Sequence, residues 1–83
     1  MERKIRDVIA TIEDLSFDAY LVSKTIDLNE LGLESLQMIQ IIVGIEEMFG
    51  VDISVELSLE DAFTINSIMD EIIKGKGRKN ERD

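Results

Sequence analysis

The chain contains no cysteine, no histidine, no proline and no tryptophan. Without cysteine it can form neither a disulfide nor a thiolate metal site, and cysteine usage says nothing about the redox state of its compartment. Without histidine, a Ser-His-Asp or Cys-His catalytic arrangement is excluded within this chain. The absence of proline allows helices to run without that interruption. We therefore expect no catalytic residue and no metal site.

Basic residues are also few, because 9 Lys and Arg stand against 18 Asp and Glu and give a formal net charge of −9. A nucleic-acid binder or a protein of anionic membrane surfaces needs a basic face, so neither partner is expected. The natural complement is a basic patch on another protein. The N-terminus lacks the apolar core of a signal peptide, and no apolar run is long enough to span a bilayer. These features predict a cytoplasmic protein.

The few basic residues are concentrated at the C-terminus. Residues 1–73 carry 4 basic and 16 acidic side chains, whereas residues 74–83 carry 5 basic and 2 acidic ones. Residues 75–83 contain no apolar side chain and cannot contribute to a core. A chain of 83 residues is one domain at most. We therefore predict one folded domain, residues 1–74, and a disordered basic tail, residues 75–83.

Apolar residues recur with helical spacing in three segments of the chain. The first predicts a helix over about residues 2–15. The second, Ser35–Phe49, is the most apolar; Ser35 is suited to cap its N-terminus and Gly50 to end it. The third begins after Thr64, which is a suitable cap, and should stop near Gly75.

The segments between these helices differ in character. Residues 16–34 lose the helical period and predict a long ordered loop held by apolar side chains. Val51 and Ile53 should dock the connection after the second helix, and residues 58–63 resemble a short capped helical turn. The pattern predicts an all-α fold, an antiparallel bundle of three main helices with one short helix before the last.

Ser35 stands where the long loop ends and the most apolar helix begins. A helix N-terminus carries partial positive charge and free amides, which tolerate a nearby phosphate. Gly32 permits a tight turn just before it, and Glu34 places a carboxylate beside the hydroxyl. On the residues alone, a plain N-cap explains this serine equally well.

The run Leu31-Gly32-Leu33-Glu34-Ser35-Leu36, followed by Ile45-Glu46-Glu47-Met48-Phe49, closely resembles the acyl carrier protein family. That family has the attachment motif Gly-x-Asp-Ser-Leu, and its second helix typically ends Leu-Glu-x-x-Phe. The resemblance covers roughly residues 5–73. It implies an acyl-carrier-like bundle of three main helices plus one short helix.

The resemblance also implies a function. Ser35 matches the serine that receives 4'-phosphopantetheine from coenzyme A through a phosphopantetheinyl transferase. The arm then holds acyl or aminoacyl groups as thioesters for loading and synthase enzymes. Such a carrier is not an enzyme, and carriers of this size usually act as monomers.

The second helix and its start are the expected partner face of such a carrier. The candidate contact residues are Glu34, Leu36, Gln37, Gln40, Val43, Glu46 and Glu47. Glu34 stands where the family usually has Asp, and Gln37 and Gln40 stand where fatty-acid carriers usually have acidic residues. The reduced charge favours a specialised carrier of a polyketide, peptide or other secondary pathway. The family's core positions correspond to Ile39, Ile45 and Phe49.

A specialised carrier competes with three alternatives. The first is a carrier of fatty-acid synthesis. The second is a small acidic helical interaction module without a prosthetic group, which fits the periodicity and charge but leaves the motif at Ser35 unexplained. The third is a calcium-binding loop that begins at Asp27, which fails because Leu31 and Met38 occupy two of the required ligand positions.

Overall fold

The computed structural model describes residues 1–53 and 62–82, with side chains as far as Lys74. These ranges contain three α-helices, α1 (Glu2–Ala10), α2 (Ser35–Phe49) and α3 (Ile65–Arg82), and one 3-10 helix (Leu28–Leu31). They contain no strand, and the predicted all-α class is confirmed. The predicted short helix over residues 58–63 falls mainly outside the described residues.

The core lies where α1 packs against both α2 and α3. Most of its members are β-branched, and such side chains have few rotamers to lose when they are buried. The buried apolar side chains are Ile5, Val8, Ile9, Ala19, Leu28, Leu33, Ile41, Ile42, Ile45, Val51, Ile53, Phe63, Ile65, Ile68 and Ile72. The predicted docking of the segment after α2 is confirmed, because both of its apolar side chains belong to this core.

Helix α1 ends at Ala10, which is earlier than the predicted end near residue 15. The Thr11 hydroxyl donates to the Val8 carbonyl at 2.6 Å. The Thr11 and Ile12 amides bond three residues back, to Val8 and Ile9, at 3.1 Å each. Such bonds tighten the last turn and stop its α-helical continuation. Ile12 still packs on the core, which confirms the predicted apolar stripe. The predicted C-terminal end of the helix is wrong.

Arg6 of α1 fastens the first half of the long loop. Its Nη1 donates to the carbonyls of Ala19 at 3.0 Å and Val22 at 2.7 Å, and its Nε donates to the Glu2 carboxylate at 2.9 Å. The Arg6 side chain is only 13% exposed. Loop carbonyls that turn away from water need such donors, and those supplied by a charged group are strong. The predicted ordered loop is therefore held by polar bonds as well as by apolar packing.

Tyr20 gives the loop a second attachment to α1. Its hydroxyl donates to Asp7 Oδ1 at 2.7 Å, and the Arg3 guanidinium lies 5.8 Å from the centre of its ring. The hydrogen bond to Asp7, together with partial desolvation and the nearby negative charge, raises the pKa of Tyr20 above its usual value. Arg6 and Tyr20 thus attach the loop to α1 at two separate points.

Asp27 fastens the second half of the loop to the chain before α3. Its Oδ1 accepts from the Asn29 amide at 3.0 Å, which starts the 3-10 helix, and from the Phe63 amide at 3.2 Å. The Leu28 amide donates to the Phe63 carbonyl at 2.9 Å. Asp27 is therefore a capping residue. No group of three or more metal-ligating side chains occurs in the part of the chain that is described.

The ends of α2 and α3 largely follow the predicted signals. Gly50 ends α2 in the left-handed conformation, with φ 64° and ψ 39°, which confirms the prediction. At the start of α3, Thr64 Oγ1 accepts from the Ser67 amide at 2.9 Å and Ser67 Oγ accepts from the Thr64 amide at 3.0 Å. The predicted cap at Thr64 is confirmed. The backbone of α3 continues past Gly75 to Arg82, so the predicted stop is wrong. The division into domain and tail stays a prediction.

Gly44 lets α1 and α2 approach closely. A Cβ built on Gly44 would lie 2.7 Å from Cγ1 of Val8, well inside van der Waals contact. Val8 is buried, and a β-branched side chain on a helix has one strongly preferred rotamer. A side chain at position 44 would therefore force the two helices apart.

We expect Gly44→Ala to destabilise the fold even though alanine is the better helix former. The clash should cost about 1–3 kcal/mol, against a propensity gain of about 1 kcal/mol. In a Val8→Ala background the obstructing methyl is absent, and the same change should stabilise by up to about 1 kcal/mol. Urea unfolding followed by circular dichroism measures both effects. A stabilising effect of Gly44→Ala with Val8 in place would contradict the close approach.

Candidate functional site

Ser35 is the first residue of α2, and Glu34 is the N-cap, with φ −86° and ψ 157°. The prediction that Ser35 caps the helix is therefore wrong. Glu34 and Gln37 form a capping box instead: the Glu34 side chain accepts from the Gln37 amide, and Gln37 Oε1 accepts from the Glu34 amide at 2.8 Å. The Ser35 side chain is exposed, and none of the described residues hydrogen-bonds to its hydroxyl.

The end of α2 at Ser35 suits a phosphate ester. Helix α2 has 15 residues and no acidic side chain in its first turn. The first-turn amides outside the capping box and the positive end of the helix dipole stabilise an anion close to the first residue. An exposed serine hydroxyl at this place can enter another protein's active site. These residues fit a phosphodiester carried by Ser35.

The loop before Ser35 is anchored beside a glycine turn. Gly32 adopts φ 95° and ends the 3-10 helix. Ser16 Oγ donates to the Leu31 carbonyl, and a Cβ on Gly32 would lie 3.0 Å from that Oγ. Leu33 is buried in the core. The backbone is therefore held on both sides of the turn, three residues before the serine, which confirms the predicted role of Gly32.

Gln37 was predicted to contact partners, but it points into the protein and is 8% exposed. Its Nε2 donates to the carbonyls of Glu13 at 2.9 Å and Asp14 at 3.3 Å, in the turn that follows α1. Asp14 adopts φ 61°, which is uncommon for a residue other than glycine. Both ends of the Gln37 amide are thus used within the chain, and this residue is removed from the partner face.

The remaining candidates divide into an exposed stripe and an inward group. Leu36 is 66% exposed and Val43 is 43% exposed, and Gln40 and Glu47 are exposed beside them. Ile39 was predicted to lie in the core, but it is 54% exposed and belongs to this stripe. The phase of the helix explains the error, since residues spaced three and four apart share one face. We call Leu36, Ile39, Gln40, Val43 and Glu47 the α2 stripe.

Glu46 lies outside the α2 stripe. It is half-buried, and its Oε2 accepts from the Ile53 amide at 3.0 Å, so it holds the segment that follows the helix. Ile45 is fully buried and Phe49 packs against the core, as the family's core positions imply. Of the two glutamates expected to face partners, only Glu47 has a fully exposed position.

A cleft of about 200 Å³ opens beside the serine. Three of its six lining side chains are carboxylates, and only one is apolar. The lining residues are Glu13, Asp14, Glu34, Leu36, Gln37 and Gln40. The negative charge around this cleft favours a cationic group over an anionic one.

Comparison with known proteins decides the family. Residues 3–72, which include Ser35, match the family described as "Phosphopantetheine attachment site". The chain is also 31% identical to an acyl carrier protein of Buchnera aphidicola subsp. Schizaphis graminum, over 95% of this chain and 96% of that one. The chain belongs to the acyl carrier protein family. Members of this family are carriers and not catalysts, and the attachment site is one for a phosphopantetheine prosthetic group.

A solved structure supports the same membership. It is a crystal structure of an engineered Bradyrhizobium japonicum glycine:carrier protein ligase, complexed with a carrier protein from Agrobacterium tumefaciens and AMP. The match has a TM-score of 0.74 and 29% identity, and it covers 87% of this chain and 97% of that chain. The predicted acyl-carrier-like fold is thereby confirmed. In the two ranges described, none of the helices has the length and apolarity needed to cross a membrane.

The structure adds residues that the motif alone did not identify. The carbonyls of Glu13 and Asp14 belong to the Ser35 end of the protein only because Gln37 reaches them across 24 and 23 residues of chain. A signal for Gln37 was present, since Gln three residues after an N-cap is one half of a capping box. Read that way, the sequence would have placed Glu34 at the cap and Gln37 inside.

We expect Ser35→Ala to leave stability almost unchanged, within about 0.5 kcal/mol, because the hydroxyl is exposed and caps nothing. Thr64→Ala should cost about 1 kcal/mol, because it removes the cap of α3. Thermal or urea unfolding of both variants measures the difference. A Ser35→Ala variant as unstable as Thr64→Ala would mean that Ser35 is a structural cap.

Proposed function

We propose that this protein carries acyl or aminoacyl groups as thioesters on a 4'-phosphopantetheine arm attached to Ser35, in a specialised biosynthetic pathway. The observation that carries the proposal is the exposed Ser35 hydroxyl at the first residue of α2, to which none of the described residues hydrogen-bonds, in a chain of the acyl carrier protein family. The serine is displayed by the fold without being needed to cap the helix.

The attachment chemistry needs little from the carrier. As a phosphopantetheinyl transferase removes the Ser35 proton, the Oγ–phosphorus bond forms, the phosphoanhydride bond of coenzyme A breaks, and the adenosine bisphosphate portion leaves. The chain's own residues hold the hydroxyl in position and place helix amides near the new phosphodiester. The bound group supplies the terminal thiol that holds cargo. With no cysteine in the chain, no protein thiol competes with it.

The α2 stripe is the proposed docking surface for enzymes that load and use the carrier. Leu36, Ile39 and Val43 form its apolar part, and Glu47 is its one acidic member. A surface of this kind gains its affinity mainly from packing at the centre of the interface. It therefore suits a partner that presents an apolar contact bordered by a few basic groups.

Aminoacyl cargo is the more specific part of the proposal. The solved relative is a carrier protein complexed with a glycine:carrier protein ligase. Three acidic residues, Glu13, Asp14 and Glu34, line the cleft beside Ser35, and their charge favours a cargo with a cationic amino group. The similarity to the Buchnera acyl carrier protein keeps fatty-acid synthesis as the second candidate.

The first test is intact mass after incubation of the protein with coenzyme A, Mg²⁺ and a broad-specificity phosphopantetheinyl transferase. We expect the mass of one phosphopantetheine arm to be gained, and no gain in Ser35→Ala. A folded wild-type chain that several transferases leave unchanged would contradict the carrier function. The small helical interaction module would then be the better explanation.

The second test loads the holo protein with glycine, using ATP and a glycine:carrier protein ligase. Leu36→Ala should raise the KM for the carrier about tenfold or more, because one apolar side chain no longer packs in the interface. Leu21→Ala is the matched control, since Leu21 is 82% exposed and lies outside the α2 stripe. Equal KM values for the two variants would argue against the docking surface. Failure of the wild type to accept glycine, with ready acceptance of a fatty acyl group, would favour the second candidate.

A further inference from the structure

We propose that Gln37 is a positioning residue for the modification of Ser35, because it ties the first residues of α2 to the turn that follows α1. This inference rests on the proposed attachment at Ser35. It assigns to Gln37 a part in presenting the hydroxyl, although the side chain faces away from any partner. We call the hydrogen bonds made by the Gln37 side chain the Gln37 clasp.

The clasp uses both ends of one amide. Oε1 accepts from the Glu34 amide at 2.8 Å, immediately before Ser35. Nε2 donates to Glu13 O at 2.9 Å and to Asp14 O at 3.3 Å. With Gln37 only 8% exposed, water competes poorly for these bonds. Removing the side chain would leave one backbone amide and two carbonyls without their protein partner, and the tie between the start of α2 and the turn would be lost.

The turn that the clasp holds contains one residue in the left-handed conformation. Asp14 has φ 61°, which is costly for residues with a Cβ, although Asp tolerates it better than most. The Nε2 bonds to Glu13 and Asp14 fix the carbonyl directions on both sides of this strained residue. Without them, the turn would be freer to return to ordinary backbone angles. The position of the loop relative to α2 would then be less defined.

The clasp needs the amide group of Gln37 as well as the length of its side chain. Fatty-acid carriers of the family usually have an acidic residue at this position. An ionised carboxylate could accept from the Glu34 amide, but it has no hydrogen to donate to the two carbonyls. It would also bring negative charge against their oxygen atoms in a buried place. Only an amide of this length can make both halves of the clasp, so the departure from the family pattern has a structural purpose.

The clasp should increase the fraction of chains in which the Ser35 end is ordered and ready to react. Phosphoryl transfer depends on placing the attacking oxygen in line with the phosphorus. If the Ser35 end is ordered in only a fraction of molecules, the apparent affinity of the transferase falls by that fraction. Once bound, the enzyme can hold the loop itself. A raised KM with a nearly unchanged kcat is therefore expected when the clasp is lost.

The experiment compares Gln37→Leu and Gln37→Glu with the wild type, using coenzyme A and one transferase. Both variants should show a KM about tenfold higher and a kcat within about twofold. Gln37→Glu keeps the cap of α2 but cannot reach the turn, so a wild-type KM in this variant would overturn the clasp. The matched control is Ser67→Ala, which weakens the cap of α3 and should lower thermal stability without changing KM.

A second measurement does not depend on modification. Hydrogen exchange of the Glu34 amide in the unmodified protein should be at least about tenfold faster in Gln37→Leu than in the wild type. Unchanged protection of that amide would overturn the inference. If the wild-type chain accepts no phosphopantetheine, the proposed function fails, and the clasp is judged on amide exchange alone. If it is modified and the three Gln37 forms have equal KM values, the clasp fails while the function stands.

Discussion

The backbone of α2 approaches α1 so closely at Gly44 that Val8 occupies the space a Cβ would need. Gln37, Ile41 and Gly44 follow one another at spacings of four and three residues, so they lie on the same face of α2, the one directed at α1. At Gly44 and Ile41 this contact is apolar and tight, and at Gln37 it becomes a set of hydrogen bonds. The close approach of the two helices at Gly44 and Ile41 brings the carbonyls of the turn after α1 within reach of Gln37. The geometry of the Ser35 end therefore depends on a glycine more than two turns away.

The connection between α1 and α2, residues 11–34, is long for a domain of this size, and its only regular element is the 3-10 helix. Several of its polar backbone groups are met by side chains from different places: Arg6 from α1, Gln37 from α2, and Ser16 and Asp27 from the loop itself. Among the described residues, no buried side-chain nitrogen or oxygen is without a partner. Bonds from several elements therefore order this irregular segment. That order in turn fixes the position of the exposed Ser35 at its end.

The sequence predicted what depends on local signals and periodicity. Gly50 and Thr64 end and begin helices because their backbone or hydroxyl chemistry acts within one turn. The stripes of isoleucine identified the core, but they did not set the exact phase of α2, which has apolar side chains on more than one face. Ile39 was assigned to the interior for that reason. The inward bonds of Gln37 escaped prediction because they depend on carbonyls of the turn after α1, whose position only the folded chain defines. The early end of α1 escaped it because the apolar stripe continues to Ile12 after the hydrogen bonding has changed at Thr11.

The net charge of this protein and its α2 stripe should act on partners in different ways. Arg6 is paired with Glu2 beneath the loop, so the other charged residues set the net charge of −9. The α2 stripe, by contrast, presents mostly uncharged side chains. The long-range field would then set how often a basic enzyme arrives, and the apolar stripe would set how long it stays. A higher ionic strength should accordingly slow association more than it shortens the residence time of the complex. Attraction of a partner and retention of that partner would then depend on different features of the surface.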